Sequence, residues 1–119
     1  MKAKNLDIWN RSSKICSDIY IYFKDSKDYG FKDQITRSSL SIPSNIAEGL
    51  EKISDKETIK FLDIARGSLA EIQTQIYIGM KIEYIKKDVG NSWIQEYEEL
   101  SKMITSLIGK IKKDNYAKN

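Results

Sequence analysis

The stretch Gln34-Ile-Thr-Arg-Ser-Ser-Leu-Ser-Ile-Pro-Ser-Asn-Ile-Ala-Glu-Gly49, resumed after a short gap as Phe61-Leu-Asp-Ile-Ala-Arg-Gly-Ser-Leu-Ala-Glu71, decides the fold. Each half is a helix in outline. Ile35, Leu40, Ile42, Ile46 and Ala47 give the first its apolar positions, and Leu62, Ala65 and Leu69 open a seam at helical spacing in the second. Pro43 and Gly67 go against the rules for helix interiors. Pro43 removes a hydrogen bond to the Ser39 carbonyl and predicts a kink, with Ser39, Ser41 or Ser44 hydroxyls available to the freed backbone groups. A glycine in mid-helix costs about 1 kcal/mol against alanine, so Gly67 predicts the close approach of another helix.

Outward from this pair, helical periodicity accounts for nearly the whole chain. A first helix is expected from about Leu6 to Phe23, with Trp9, Ser12, Cys16, Ile19, Tyr20 and Phe23 as its stripe and Ile8, Ile15 and Tyr22 on the flank. Gly30 is expected to break the chain before a second helix from about Phe31 to Gly49, where Gly49 makes the stop. Ser54-Asp-Lys-Glu57 has the form of a capping box and starts the third helix, expected to reach about Ile85. Its principal seam is Leu62, Ala65, Leu69, Ile72, Ile76 and Met80. A second seam of Ile64, Ser68, Glu71, Gln75, Ile78 and Ile82 runs beside it, making the apolar arc wider than two neighbours require. Asp88-Val-Gly-Asn-Ser92 reads as a turn before a fourth helix from about Trp93 to Lys112, striped by Trp93, Ile94, Tyr97, Leu100, Ile104, Leu107, Ile108 and Ile111. Short connections favour antiparallel neighbours. The expected fold is all-α, an up-down-up-down four-helix bundle in a single domain spanning residues 1–119.

Composition narrows the chemistry. The 119 residues carry a net charge of +3, no histidine and one cysteine. Absence of histidine removes Ser-His-Asp and Cys-His catalysis, His-containing zinc sites and the Glu-x-x-His di-iron bundle together. Cys16 cannot form an intrachain disulfide, and on the first helical stripe it reads as a small buried thiol. No cofactor is expected. Met1-Lys-Ala-Lys-Asn5 lacks the apolar run of a signal peptide and no window is long enough to span a membrane, so a cytoplasmic location is expected.

At Gln34, Arg37, Ser41-Ile-Pro-Ser-Asn-Ile-Ala-Glu-Gly49, Phe61-Leu62 and Ala65-Arg-Gly-Ser-Leu-Ala-Glu71, the chain resembles the bacterial four-helix bundle proteins encoded in intervening sequences within 23S ribosomal RNA genes. The resemblance extends from Trp9 to the Leu107 region. It departs at Glu51-Lys52, where the family often carries an arginine. The resemblance implies a homopentameric barrel of four-helix protomers. A related group, the accessory proteins of diversity-generating retroelements, implies basic pentamers that associate with a reverse transcriptase and nucleic acid.

Two clusters compete for function. Arg37, Asn45, Glu48, Arg66, Ser68, Glu71 and Gln75 are expected to converge where the second and third helices pair. They read either as a ligand or catalytic cluster with Glu48 or Glu71 as base, or as a network fixing helix register and oligomer contacts. The structural reading is preferred, because no histidine, second cysteine or phosphate loop accompanies them. Lys2 and Lys4 begin the chain, and Lys110, Lys112, Lys113 and Lys118 end it. In an antiparallel bundle both termini leave from one end. Repetition around a ring would make a basic face for RNA or DNA, while solubilising tails explain the same lysines equally well. The expected function is therefore non-enzymatic: a homo-oligomer that binds nucleic acid. The alternative is a scaffold for a protein partner such as a reverse transcriptase.

Overall fold

The computed structural model describes residues 1–117. A single 3₁₀ turn at Lys2–Asn5 precedes four helices: α1 (Asp7–Tyr22), α2 (Tyr29–Leu50), α3 (Asp55–Lys81) and α4 (Lys87–Ala117). No strand occurs among the described residues. Each helix packs on two neighbours. α1 touches α2 and α4, α3 touches α2 and α4, and the diagonal pairs do not meet, which gives a square antiparallel bundle of 52 × 22 × 22 Å. The N-terminal turn lies against α1 and α2.

The core follows the stripes. Ile19, Ile35, Ile42, Ile46, Leu62, Ala65, Ile72, Ile76, Tyr97, Leu100 and Ile104 are wholly excluded from solvent. Each large aliphatic side chain among them contributes about 1.5–3 kcal/mol by leaving water. On α1 the buried arc is centred on Ile8, Ile15 and Ile19, and Tyr20 is exposed. The expected stripe therefore turns toward its Ile8 flank.

Several helix boundaries differ from expectation, each for a local reason. Gly30 is no breaker. It lies in the first turn of α2, whose start is set by Asp28: its Oδ1 accepts from the Phe31 amide at 3.1 Å. Gly49 is no stop either, since α2 continues to Leu50 and ends on Glu51 with right-handed backbone. The helix runs unbroken through Pro43. The nearby hydroxyls serve other acceptors, for Ser39 donates to the Thr36 carbonyl at 2.7 Å and Ser41 pairs with Ser68.

The third helix ends at Lys81 rather than Ile85. Glu83 takes a left-handed φ of 65°, the Tyr84 amide donates to the Gly79 carbonyl at 2.8 Å, and the Glu83 amide donates to Met80 at 3.1 Å. This is the Schellman pattern of bonds. The predicted turn at Asp88–Ser92 belongs instead to the first turns of α4. Gly90 is buried there, where a Cβ would lie 2.4 Å from Met80 Sδ. Close approach of α3 and α4, rather than chain reversal, explains that glycine. For Gly67 the expectation fails: beyond its own helical turn, no described atom lies within 4 Å of where its Cβ would be.

Candidate functional site

The seam between α2 and α3 carries much of the decisive sequence. Ser38, Ser41, Asn45 and Gly49 recur at spacings of three and four, so they share the flank of α2 that meets α3. Asn45 Nδ2 donates to the Ser41 carbonyl at 2.8 Å and to Ser41 Oγ at 3.0 Å. Ser41 Oγ in turn lies 2.8 Å from Ser68 Oγ on α3. One turn away, Ser38 Oγ donates to Glu71 Oε1 at 3.0 Å, and Gln75 Nε2 approaches the same oxygen at 3.4 Å. Gly49 closes the seam: its absent Cβ would sit 3.0 Å from Phe61 Cβ, and its carbonyl accepts from Thr58 Oγ1 at 2.8 Å. Hydroxyls and a glycine let two backbones come close, and the hydrogen bonds set their register.

Of the seven residues expected to converge, Asn45, Ser68, Glu71 and Gln75 lie along this seam. The other three lie elsewhere. Arg37 is exposed. Glu48 is exposed and pairs with Lys52 one turn on, at 3.2 Å. Arg66 pairs with Asp63, three residues back on its own helix. The charges therefore satisfy neighbours on their own helices or face outward, and Glu48 and Arg66 do not share a pocket.

Sequence reasoning missed a second cluster, between α1 and α4. Arg11 forks onto Glu96, with Nε donating to Oε2 at 3.0 Å and Nη2 to Oε1 at 2.5 Å, and Nη2 also reaches Glu99. These groups line a groove of about 420 Å³ together with Lys14, Asp18 and Trp93. The available signal was the Glu96, Glu99 pair three apart on α4, opposite an arginine on the flank of α1. Hydrogen bonding to Arg11 holds the Glu96 carboxyl below its ordinary range, and the Arg11 pKa is raised in turn. A general base needs the opposite shift, toward neutrality. This cluster clamps two helices.

The core has its own polar layer. Ser12 and Ser39 are fully buried, and Ser39 Oγ lies 3.5 Å from Cys16 Sγ. Burial pushes the Cys16 thiol up, with the Ser39 contact opposing, so the sulfur is held in its unreactive form. Tyr97 Oη is buried with no hydrogen-bond partner among the described residues. Among the described residues no group of three or more acidic or sulfur ligands is placed to hold a metal ion.

The lysines near the two chain ends lie at one end of the bundle, while Lys24, Lys27, Lys32, Lys81, Lys86 and Lys87 lie at the other. Lys2 and Lys4 lie on the N-terminal turn, and the Lys2 amide donates to Glu51 in the α2–α3 connection at 3.3 Å. Lys110, Lys112 and Lys113 are exposed on the last turns of α4. The two groups leave from the same end but from different sides, since the N-terminal turn packs on α1 and α2 and not on α4. Lys118 lies outside the described residues. No helix is long and apolar enough to cross a membrane among the described residues.

The architecture defines a square antiparallel four-helix bundle whose α2–α3 pair is registered by small hydroxyl side chains. The chain belongs to the 23S rRNA-intervening sequence protein family, whose sequence model matches residues 4–106. It is also similar to a crystal structure of a protein of unknown function from the S23 ribosomal protein family of Bacteroides thetaiotaomicron VPI-5482. The TM-score is 0.79 at 26% identity, covering 85% of this chain and 97% of that one. No curated protein matches the chain.

Proposed function

We propose that this protein is a non-enzymatic, cytoplasmic homo-oligomer, a ring of five as the resemblance implies, that binds RNA or DNA without sequence preference. The observation that carries the reading is the far end of α4. Arg11, in the second turn of α1, reaches Glu99 and Met103. Since Arg11 also forks onto Glu96, it is level with about residue 99, and the start of α1 at Asp7 lies level with about residue 103 of α4. Lys110, Lys112 and Lys113 extend beyond it, exposed, at the end where Lys2 and Lys4 also lie. Rotation about an axis parallel to the helices would gather these lysines from every copy on one face, a geometry suited to phosphate backbones.

The test is a gel shift with generic RNA and DNA at low and moderate salt, alongside the mass in solution by light scattering. Binding that weakens linearly on a log–log salt plot is expected. Reversing Lys110, Lys112 and Lys113 to glutamate should weaken it by about tenfold or more. No shift at low salt would remove the nucleic-acid reading. A second reading, docking of another protein, is favoured by the apolar groove of about 370 Å³ between α1 and α2. Trp9, Leu40, Pro43 and Ala47 help to line it.

A further inference from the structure

The outward faces of α2 and α3 match each other in charge and shape. At 100° per residue, Arg37, Leu40, Ser44 and Glu48 form the row of α2 opposite its core face, and Lys60, Ile64, Gly67 and Glu71 form the corresponding row of α3. All eight are exposed, Leu40 by 48% and Ile64 by 43%. The two rows run antiparallel, and their heights are fixed by the seam: Ser41 is level with Ser68, and Ser38 with Glu71. Counting from those pairs, Arg37 is level with Ile72, Leu40 with Leu69, Ser44 with Ala65 and Glu48 with Phe61, so Glu71, Gly67, Ile64 and Lys60 each lie within one or two residues, about 1.5–3 Å, of the height of their counterpart. Positive meets negative at both ends. In the middle a protruding leucine meets a glycine whose missing Cβ leaves open space.

Inside one protomer these pairs are not made. No salt bridge joins Arg37 to Glu71 or Glu48 to Lys60 among the described residues. Glu48 instead holds Lys52, and Glu71 accepts from Ser38. A rotation axis parallel to the helices preserves height. It can therefore bring the α2 row of one copy against the α3 row of the next with each pair offset by no more than about 3 Å, a distance that the long side chains of Arg37, Leu40, Glu48 and Lys60 span.

We infer that a second copy of this chain docks by seating Leu40 of α2 over the partner's Gly67, flanked by ion pairs from Arg37 to the partner's Glu71 and from Glu48 to the partner's Lys60. The inference rests on the proposed self-assembly and names the surfaces that make it. It also gives Gly67 the close approach that its own protomer lacks, which offsets its cost of about 1 kcal/mol in mid-helix. The two rows differ, so the contact is head-to-tail, the kind that closes into rings.

The experiment is sedimentation velocity on the full chain over a concentration series, with circular dichroism as the check on folding. The charge swaps Glu48→Lys and Lys60→Glu each set like charges together, and each should raise the dissociation constant of assembly about tenfold or more. Combined, they restore the opposite-sign pair and should return assembly to near the parent value. Gly67→Leu should dissociate the assembly while helix content is retained. A parent protein that assembles, with the single swaps and Gly67→Leu leaving its dissociation constant unchanged, would place the contact elsewhere and leave self-assembly standing. A parent that stays monomeric at tens of micromolar would remove self-assembly and this contact together.

Discussion

The two ends of α3 solve the same problem with opposite materials. At its N-terminus, Ser54 accepts from the Glu57 amide at 3.2 Å, and Gly49 of α2 lies against Thr58 and Phe61. At its C-terminus the chain reverses through Glu83, a residue ill suited to its left-handed backbone, while Gly79 and Gly90 lie nearby inside helices. The glycines at both ends make room for packing, and neither end uses glycine to turn. The difference teaches that the cost of losing such a glycine depends on which atoms crowd it.

The largest expected effect breaks the N-terminal end. In Gly49→Ala the new methyl would lie 3.0 Å from Phe61 Cβ and 3.1 Å from the Thr58 carbonyl oxygen, atoms fixed to the α3 backbone. Overpacking of about 1–3 kcal/mol outweighs the gain of up to about 1 kcal/mol in helix propensity. A net loss of about 1–2 kcal/mol is expected from urea unfolding. The counterpart at the other end is Gly90→Ala, whose methyl would meet Met80 Sδ at 2.4 Å. The distance is shorter, and Met80 Cγ lies at 2.6 Å and Ile85 Cγ2 at 3.3 Å, yet the whole unbranched Met80 side chain can change rotamer to clear the methyl. Stability within about 0.5 kcal/mol of the parent is expected, because helix propensity compensates. If Gly90→Ala proves the more damaging of the two, anchoring of the crowded atom is not what decides.

The next effect is smaller and local. Ser54→Ala removes the acceptor for the Glu57 amide and should cost about 1 kcal/mol. The variant should lower the urea midpoint without changing the slope, since the surface exposed on unfolding stays the same. An unchanged midpoint would mean that water caps the helix as well as the serine does.

What could be foreseen divides along the same line. The bundle, its antiparallel order and most of its core follow from apolar periodicity, which depends on burial and survives errors of a residue or two. Ser54 was legible because capping has a side-chain signature. The boundary between α3 and α4 was not. Glu83 carries no mark of a left-handed conformation, whereas Gly90-Asn91-Ser92 looks like a turn while folding as helix. In the candidate site, Asn45, Ser68, Glu71 and Gln75 were placed by helix pairing alone. Arg37, Glu48 and Arg66 were not, because long charged side chains reach partners on their own helix or point outward. The Arg11–Glu96 clamp needed the relative height of α1 and α4, which no local pattern supplies.

The smallest expected effect sharpens the C-terminal end of α3 and has the opposite sign. A non-glycine residue in the left-handed region is disfavoured by about 1–2 kcal/mol. Glu83→Gly relieves that strain but enlarges the conformational freedom of the unfolded chain, which takes back up to about 1 kcal/mol. The bonds from the Glu83 and Tyr84 amides to Met80 and Gly79 are backbone bonds and survive the change. So does the bond from Tyr84 Oη to Asp28 Oδ2 at 2.7 Å, which ties this reversal to the start of α2. A net gain of about 0.5 kcal/mol is expected, readable as a higher thermal midpoint. A loss on Glu83→Gly would mean that the glutamate side chain contributes more to the reversal than its backbone strain takes away, and the two ends of α3 would then both depend on a side chain.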